Sequence, residues 1–346
     1  MANWLSRLTG GDRKSVSASR LASLAGGGLP GWVPRALPVQ MQAGYGRNAI
    51  ANRCVRLVAE AAASLGFQAS DTAAQRLLER PNAEQSGAEL WEGVYGFLQL
   101  AGNAYLELSS LEGEPRELFG LRPDRMRVLA DRTGWPAGWE YSAAGSVRRF
   151  ERDRASGRSP VFHLKLFHPG DDHYGLSPLE PAGRALDLHT ASADWARALI
   201  SNAARPSGAL VFNGADGHLT EDQFDRLKAE LTGAHTGPDN AGRPLLLEGG
   251  LDWKPMALSP AEMDFIAARR EAAREIALAF GVPPLLLGLP GDNTYANYKE
   301  ANQAFWTQTV EPLARKAARA LEVWLAPWFG ADLKVLVEPR KTGERA

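Results

Sequence analysis

The stretch from Ser259 to Pro312 constrains this chain most, because it prescribes a helix, a rigid stop, an apolar loop and a second helix in that order. Ser259 and Glu262 form an S-x-x-E capping box, and Pro260 takes the first helical position, where its missing N–H costs nothing. Gly281 can adopt the left-handed conformation that ends a helix, and Pro283 and Pro284 forbid its continuation. A second helix is predicted from Thr294 until Pro312 interrupts it. Between the two lie Leu285, Leu286, Leu287 and Leu289. Leucines in a non-helical loop are costly on an open surface, so they need a cover, from this chain or from another copy of it. The stretch points toward assembly.

A length of 346 residues admits two or three domains. Lys and Arg total 39 against 40 Asp and Glu, so net charge signals no affinity for nucleic acid or an anionic membrane. The single cysteine, Cys54, excludes an intramolecular disulfide and a thiolate zinc site. No apolar run approaches the roughly 18 residues of a membrane span, and MANWLSRLTGG lacks a signal-peptide core, so use without export is expected.

Residues 1–44, rich in Gly, Pro, Ala and Ser with scattered arginines, read as a disordered basic N-terminal arm; the sharper alternative is an arm that orders on a neighbouring subunit. Order is expected from about Tyr45. A helix is predicted over 47–65, and a second opens at the Ser86/Glu89 capping box and ends at Gly102. From Asn103 to about Leu166 short alternating runs predict one small antiparallel sheet, with a turn at Glu112–Gly113. Ser177, Pro178 and Glu180 predict a helix over 178–204, about 40 Å long. A strand at 208–213, a helix from Thr220 to Gly233 and a hairpin turning at Gly249–Gly250 form a β-α-β-β unit held between two long helices.

Catalytic signatures are sparse. Walker A, H-E-x-x-H and G-x-S-x-G patterns are absent, and Gly26, Gly28 and Gly31 match a dinucleotide fingerprint with no strand before them. The one metal-like cluster is His163, His168, Asp171, Asp172 and His173, whose ordinary reading is a strand entering a solvated turn. Asn103 reads either as a turn cap or as a polar contact at a domain junction. On the helix before Gly281, Arg270 interrupts the apolar stripe of Met263, Ile266, Ala273, Ile276, Ala277 and Phe280, which suggests a polar partner.

Several segments, in order, resemble the portal proteins of tailed bacteriophages, specifically the long-tailed-phage portal family. They are LLERPNAEQSGAELWE, LAGNAYLEL, LRPDRM, VFHLKLFHPGDDHYGLSPLEPA, ARPSGAL, PLLLEGGLDWKPMALSPAEMDF, REIALAFGVPPLLLG, TYANYKEA and TVEPL, covering about 45–325. The compact, Ala- and Arg-rich form is similar to portals of prophages and of gene transfer agents.

The resemblance implies an α+β, mainly helical portal fold with wing, stem, clip and a short crown, assembled as a dodecameric ring at one capsid vertex. It implies a wing at 45–177, stem helices at 178–204 and 259–281, a clip at 205–258, a tunnel loop at 282–296, and a wing return with short crown helices at 297–346. Double-stranded DNA would pass without sequence specificity. The partners implied are the major capsid protein, the terminase large subunit and the head–tail connector, with no membrane and no cofactor. The setting implied is a virion or phage-like particle assembled in the bacterial cytoplasm. Val282, Pro283, Pro284, Leu285, Leu286, Leu287, Asn293 and Tyr295 would face the channel, and Leu245, Leu246, Leu247, Glu248 and Trp253 would form the docking surface of the clip. A rival reading is a metal-dependent hydrolase or nuclease using His163, His168, Asp171 and Asp172. A third is another ring- or filament-forming scaffold.

Overall fold

The computed structural model describes residues 37–201, 208–212, 222, 225–226, 251–255, 264–289 and 295–340. The chain is helical at Leu37–Met41 (α1) and through a wide turn at Gln42–Gly46, ahead of the Tyr45 boundary read from composition; residues 1–36 lie outside the described residues. Helix α2 (Ala49–Ala63) is capped by Asn48, whose Oδ1 accepts from the Ile50 and Ala51 amides at 3.1 Å each. It buries Ala51, Cys54, Val55, Val58 and Ala62 on one face. Strand β1 (Phe67–Ala69) and helix α3 (Thr72–Glu79) follow. Helix α4 (Gly87–Ala101) has both halves of the Ser86/Glu89 capping box in place.

The region after Gly102 holds two antiparallel three-stranded sheets rather than one. Strands β2 (Asn103–Leu111), β3 (Glu114–Leu121) and β7 (Val161–Lys165) form one, in order β3–β2–β7. Strands β4 (Met126–Ala130), β5 (Pro136–Ala143) and β6 (Ser146–Glu151) form the other. Strand β6, SVRRFE, is the one with the weakest sequence signal. Only Phe150 of it is buried, so its hydrophobic alternation is nearly silent. A second, smaller core is shared by the two sheets, with Tyr105, Leu121 and Val161 from the first and Met126, Trp139 and Phe150 from the second.

Helix α5 (Gly183–Ser201) starts five residues later than expected. Ser177 does cap, with its Oγ accepting from the Leu179 amide at 3.0 Å, but it caps a turn. Pro181 has no N–H to give to the carbonyl of Ser177, so α-helical bonding is delayed. Strand β8 (Gly208–Phe212) pairs antiparallel with β9 (Leu251–Pro255). The predicted hairpin turn at Gly249–Gly250 and most of the Thr220–Gly233 helix lie outside the described residues.

Helix α6 (Phe265–Ala279) takes Asp264 as its N-cap, in a left-handed conformation with its carboxylate accepting from the Ala267 amide; Ser259 and Glu262 lie outside the described residues. Helix α7 (Tyr295–Phe305) does not stop at Pro312. A π-type turn at Trp306–Val310 carries it into α8 (Glu311–Phe329), with Pro312 in the first turn of α8. Widening the turn relieves the clash a proline ring makes with the carbonyl four residues earlier. Strand β10 (Val335–Val337) then pairs with β1. Helices α2, α4, α6 and α8 meet in the main core, where Val58, Leu98, Ile276, Leu321 and Leu325 are fully buried.

Candidate functional site

The stop after α6 is built almost wholly from backbone. The Gly281 amide donates to the Leu278 carbonyl at 3.0 Å and the Val282 amide to the Ala277 carbonyl at 2.9 Å, the paired bonds of a Schellman motif. Gly281 has φ +64°, and a Cβ there would lie 2.7 Å from Oγ1 of Thr309. That hydroxyl donates to the Gly281 carbonyl at 2.7 Å, so the helix end is locked onto the π-type turn 28 residues later. Sequence reading missed Thr309, since nothing in a helical Thr announces a partner so far along the chain. Val282 is buried, and Pro284–Leu287 form one 3₁₀ turn closed by Leu286 N–H to Pro283 C=O at 3.0 Å.

Leu285, Leu286, Leu287 and Leu289 are all half-buried, and Leu286 and Leu287 pack on the main core. The chain itself supplies much of the cover that they need. More open apolar side chains lie on the adjoining helices, where Leu188 on α5 is 47% exposed, Ile266 and Leu278 on α6 are 68% and 78%, and Tyr298 on α7 is 51%; others, such as Phe167 and Trp135, lie in loops elsewhere. Pro283 and Pro284 are half-buried within the loop. Tyr295 begins α7, and Asn293 lies outside the described residues. Leu245, Leu246, Leu247 and Glu248 also lie outside them. Trp253 is placed as the β9 residue opposite Leu210.

Helices α5 and α6 pack side by side, joined to the α2 N-terminus through His189. Its Nδ1 lies 3.2 Å from the Asn48 side-chain amide and its Nε2 3.4 Å from Arg269 Nε. Partial burial, then the Arg269 charge, lowers the His189 pKa.

The LAGNAY and HYGLSP segments prove to be two sides of one joint. Asn103 Oδ1 accepts from the Gly175 amide at 2.8 Å, and its Nδ2 donates to the Ala101 and Gly175 carbonyls at 2.8 and 3.3 Å. A Cβ on Gly102 would lie 2.4 Å from the Gly175 carbonyl oxygen, and one on Gly175 only 2.1 Å from that of Gly102. Both positions therefore exclude a side chain. Asn103 thus both caps the turn after α4 and ties it to the Gly175 segment, a contact inside the region expected to be one wing domain.

The same joint dissolves the metal reading. His163 Nε2 faces Asn103 Oδ1 at 3.0 Å and its ring stacks on Tyr105, with centroids 4.2 Å apart. Burial, aided by Lys165 and His173, pushes its pKa down to about 3. His168 Nδ1 accepts from the Gly170 amide, and Asp171 from the amides of His173 and Tyr174. These groups organise the strand end and its turn. Among the described residues no three His, Cys, Asp or Glu side chains are placed to hold a metal ion. None of the described helices is long and apolar enough to cross a membrane.

A family model described as phage portal protein matches residues 49–343. A protein of Rickettsia bellii is 41% identical over 300 residues, which cover 84% of this chain and 77% of its own length. The portal protein of Enterobacteria phage HK97 is 24% identical over 80% of this chain and 66% of its own length. Among solved structures, a chain from the neck of a native gene transfer agent particle, computed with C12 symmetry, is 47% identical. It superposes with a TM-score of 0.69, covering 94% of this chain and 90% of that one.

Proposed function

The chain belongs to the phage portal protein family, and from that premise we propose that twelve copies close into a ring at one capsid vertex, through which double-stranded DNA passes during packaging and ejection. The observation that carries the ring is the apolar surface left open on α5, α6 and α7 at Leu188, Ile266, Leu278 and Tyr298. Head-to-tail contacts that close on themselves cover such a surface in every copy without leaving a free end. The C12 neck at 47% identity supports the number, and the same likeness supports a place in the neck of a phage or gene transfer agent particle.

In this reading α5 and α6 are the stem, the residues between them the clip, and the elements from α2 to β7 the wing. Residues 282–296 are the tunnel loop; Val282 is buried at its root and does not face the channel, and the hydrogen-bonded 3₁₀ turn Pro284–Leu287 keeps its shape as DNA slides past. The major capsid protein, the terminase large subunit and the head–tail connector are the proposed partners, and the role is structural.

Light scattering and negative-stain microscopy of the purified protein test the ring. The expected result is a particle with a central hole and roughly twelve times the 37.4 kDa chain mass. A monomer at every concentration, even with connector protein added, would overturn it. Replacing both Pro283→Ala and Pro284→Ala tests the loop: rings should form normally while DNA packaging falls. Folded monomers in place of rings would remove the role assigned to the loop.

A further inference from the structure

The near-zero net charge conceals a segregation. Between Arg122 and Arg158 the sequence holds nine arginines, five carboxylates and neither lysine nor histidine. The fold gathers this span into the β4–β5–β6 sheet and its adjoining turns. There Asp124, Asp131 and Glu140 are half-buried or buried while Glu151 and Asp153 are exposed, and seven of the nine arginines are exposed, with Arg125 and Arg158 half-buried. Glu140 on β5 stands across from Arg127 on β4 and Arg149 on β6, and accepts from them at 2.7 and 3.1 Å. Its side chain is 11% exposed, while those of Arg127 and Arg149 are 64% and 69% exposed. Asp124 and Asp131 are engaged by Arg122 and Arg154, and Asp153 accepts from its own turn at Ala155 and Ser156. Arg132 and Arg152 have no side-chain partner among the described residues. At one end of the sheet Arg152, Arg154 and the exposed Trp135 line a recess of about 380 Å³.

We propose that this outer face is a docking surface for the phosphate backbone of duplex DNA, independent of base sequence and separate from the axial channel. A carboxylate shared by two guanidinium groups holds them in place and leaves a net positive charge with unused N–H edges. Those planar edges match phosphate oxygens two at a time, which lysine does not do. The face is only sparsely apolar: the rows beside Arg127, Glu140 and Arg149 are Leu129, Gly138 and Glu151 on one side and Ser142 with the exposed Val147 on the other, which is too little to centre a protein interface. Polyanion binding needs no such centre, because counterion release drives it. The inference concerns a face of the single subunit and does not rest on ring formation.

The test is fluorescence anisotropy of a short labelled duplex with the full chain across a KCl titration. The variant combines Arg132→Gln, Arg149→Gln and Arg152→Gln, which leaves Arg127 to pair with Glu140. It should weaken binding about tenfold at low salt and flatten the slope of log K against log salt by about 2 to 3, alike on two unrelated sequences. Arg270→Gln on α6 should leave the slope alone. An unchanged slope and affinity in the triple variant would overturn the assignment. So would a poly-glutamate peptide that binds the wild type more tightly than duplex and is lost in the variant, which would assign the face to an acidic protein segment. Particle mass on the same samples separates the two readings. Monomers with an arginine-dependent slope uphold this inference without the ring, and rings with no such dependence do the reverse.

Discussion

At Gly281 the chain turns on backbone hydrogen bonds and packed aliphatic carbon, whereas on the β4–β5–β6 sheet it is braced by guanidinium–carboxylate pairs half open to water. Dissolved ions scarcely reach the first kind of contact, and they weaken the second. Under the proposals above, one region keeps its shape while a polyanion slides by, and the other holds one. A chain of almost zero net charge contains both because the fold, not the composition, sorts the charges.

The largest effect is expected where the backbone does most. Gly281→Ala places a Cβ in the left-handed region and against Thr309 Oγ1. The conformation costs about 1–2 kcal/mol and the displaced Thr309 hydrogen bond about 1 more. Urea unfolding should show a loss of roughly 2–3 kcal/mol that does not change with salt. A salt-dependent loss would break the contrast between the regions.

Next comes pH. The folded-state pKa of His163 is depressed to about 3, so the unfolded chain binds the extra proton as pH falls below about 6.5. Stability at this joint should therefore be full above that value and decline toward pH 3, by at most about 1.4 kcal/mol per pH unit. His163→Gln should flatten that decline, read from unfolding midpoints at pH 7 and pH 5. An equally steep decline in the variant would assign the titration elsewhere, with half-exposed His189 the next group to examine.

The smallest effect belongs to the charged sheet. Glu140→Gln removes a carboxylate shared by two well-exposed arginines, so the loss should be near 1 kcal/mol after screening. Differential scanning calorimetry at low and high KCl should show the gap from wild type narrowing as salt rises. A gap that stays constant would mean that packing around Glu140, and not charge, braces the sheet.

What was legible in the sequence was the local punctuation. The Ser86/Glu89 box, the stop at Gly102 and the turn at Gly281 stand where their spacing put them, because each depends on groups only a few residues apart. Pro312 misled because a proline's clash was judged without the wide turn that absorbs it. Strand β6 was silent because its exposed face carries arginines. Of the residues expected at the channel, Pro284–Leu287 form one hydrogen-bonded turn and Val282 is buried behind it, while the outward direction of neighbouring Leu278 depends on which face α6 buries.

By itself the sequence determined where α4 starts and where α4 and α6 stop, that the chain is α+β, and which family its ordered segments resemble. The tertiary structure alone decided that Asn103 meets Gly175, that Thr309 locks Gly281, that β1 pairs with β10, and that seven exposed arginines gather on one small sheet and its adjoining turns. Caps and turns are written in contacts three or four residues long. Pairings across tens or hundreds of residues exist only once the whole core has chosen which surfaces to bury.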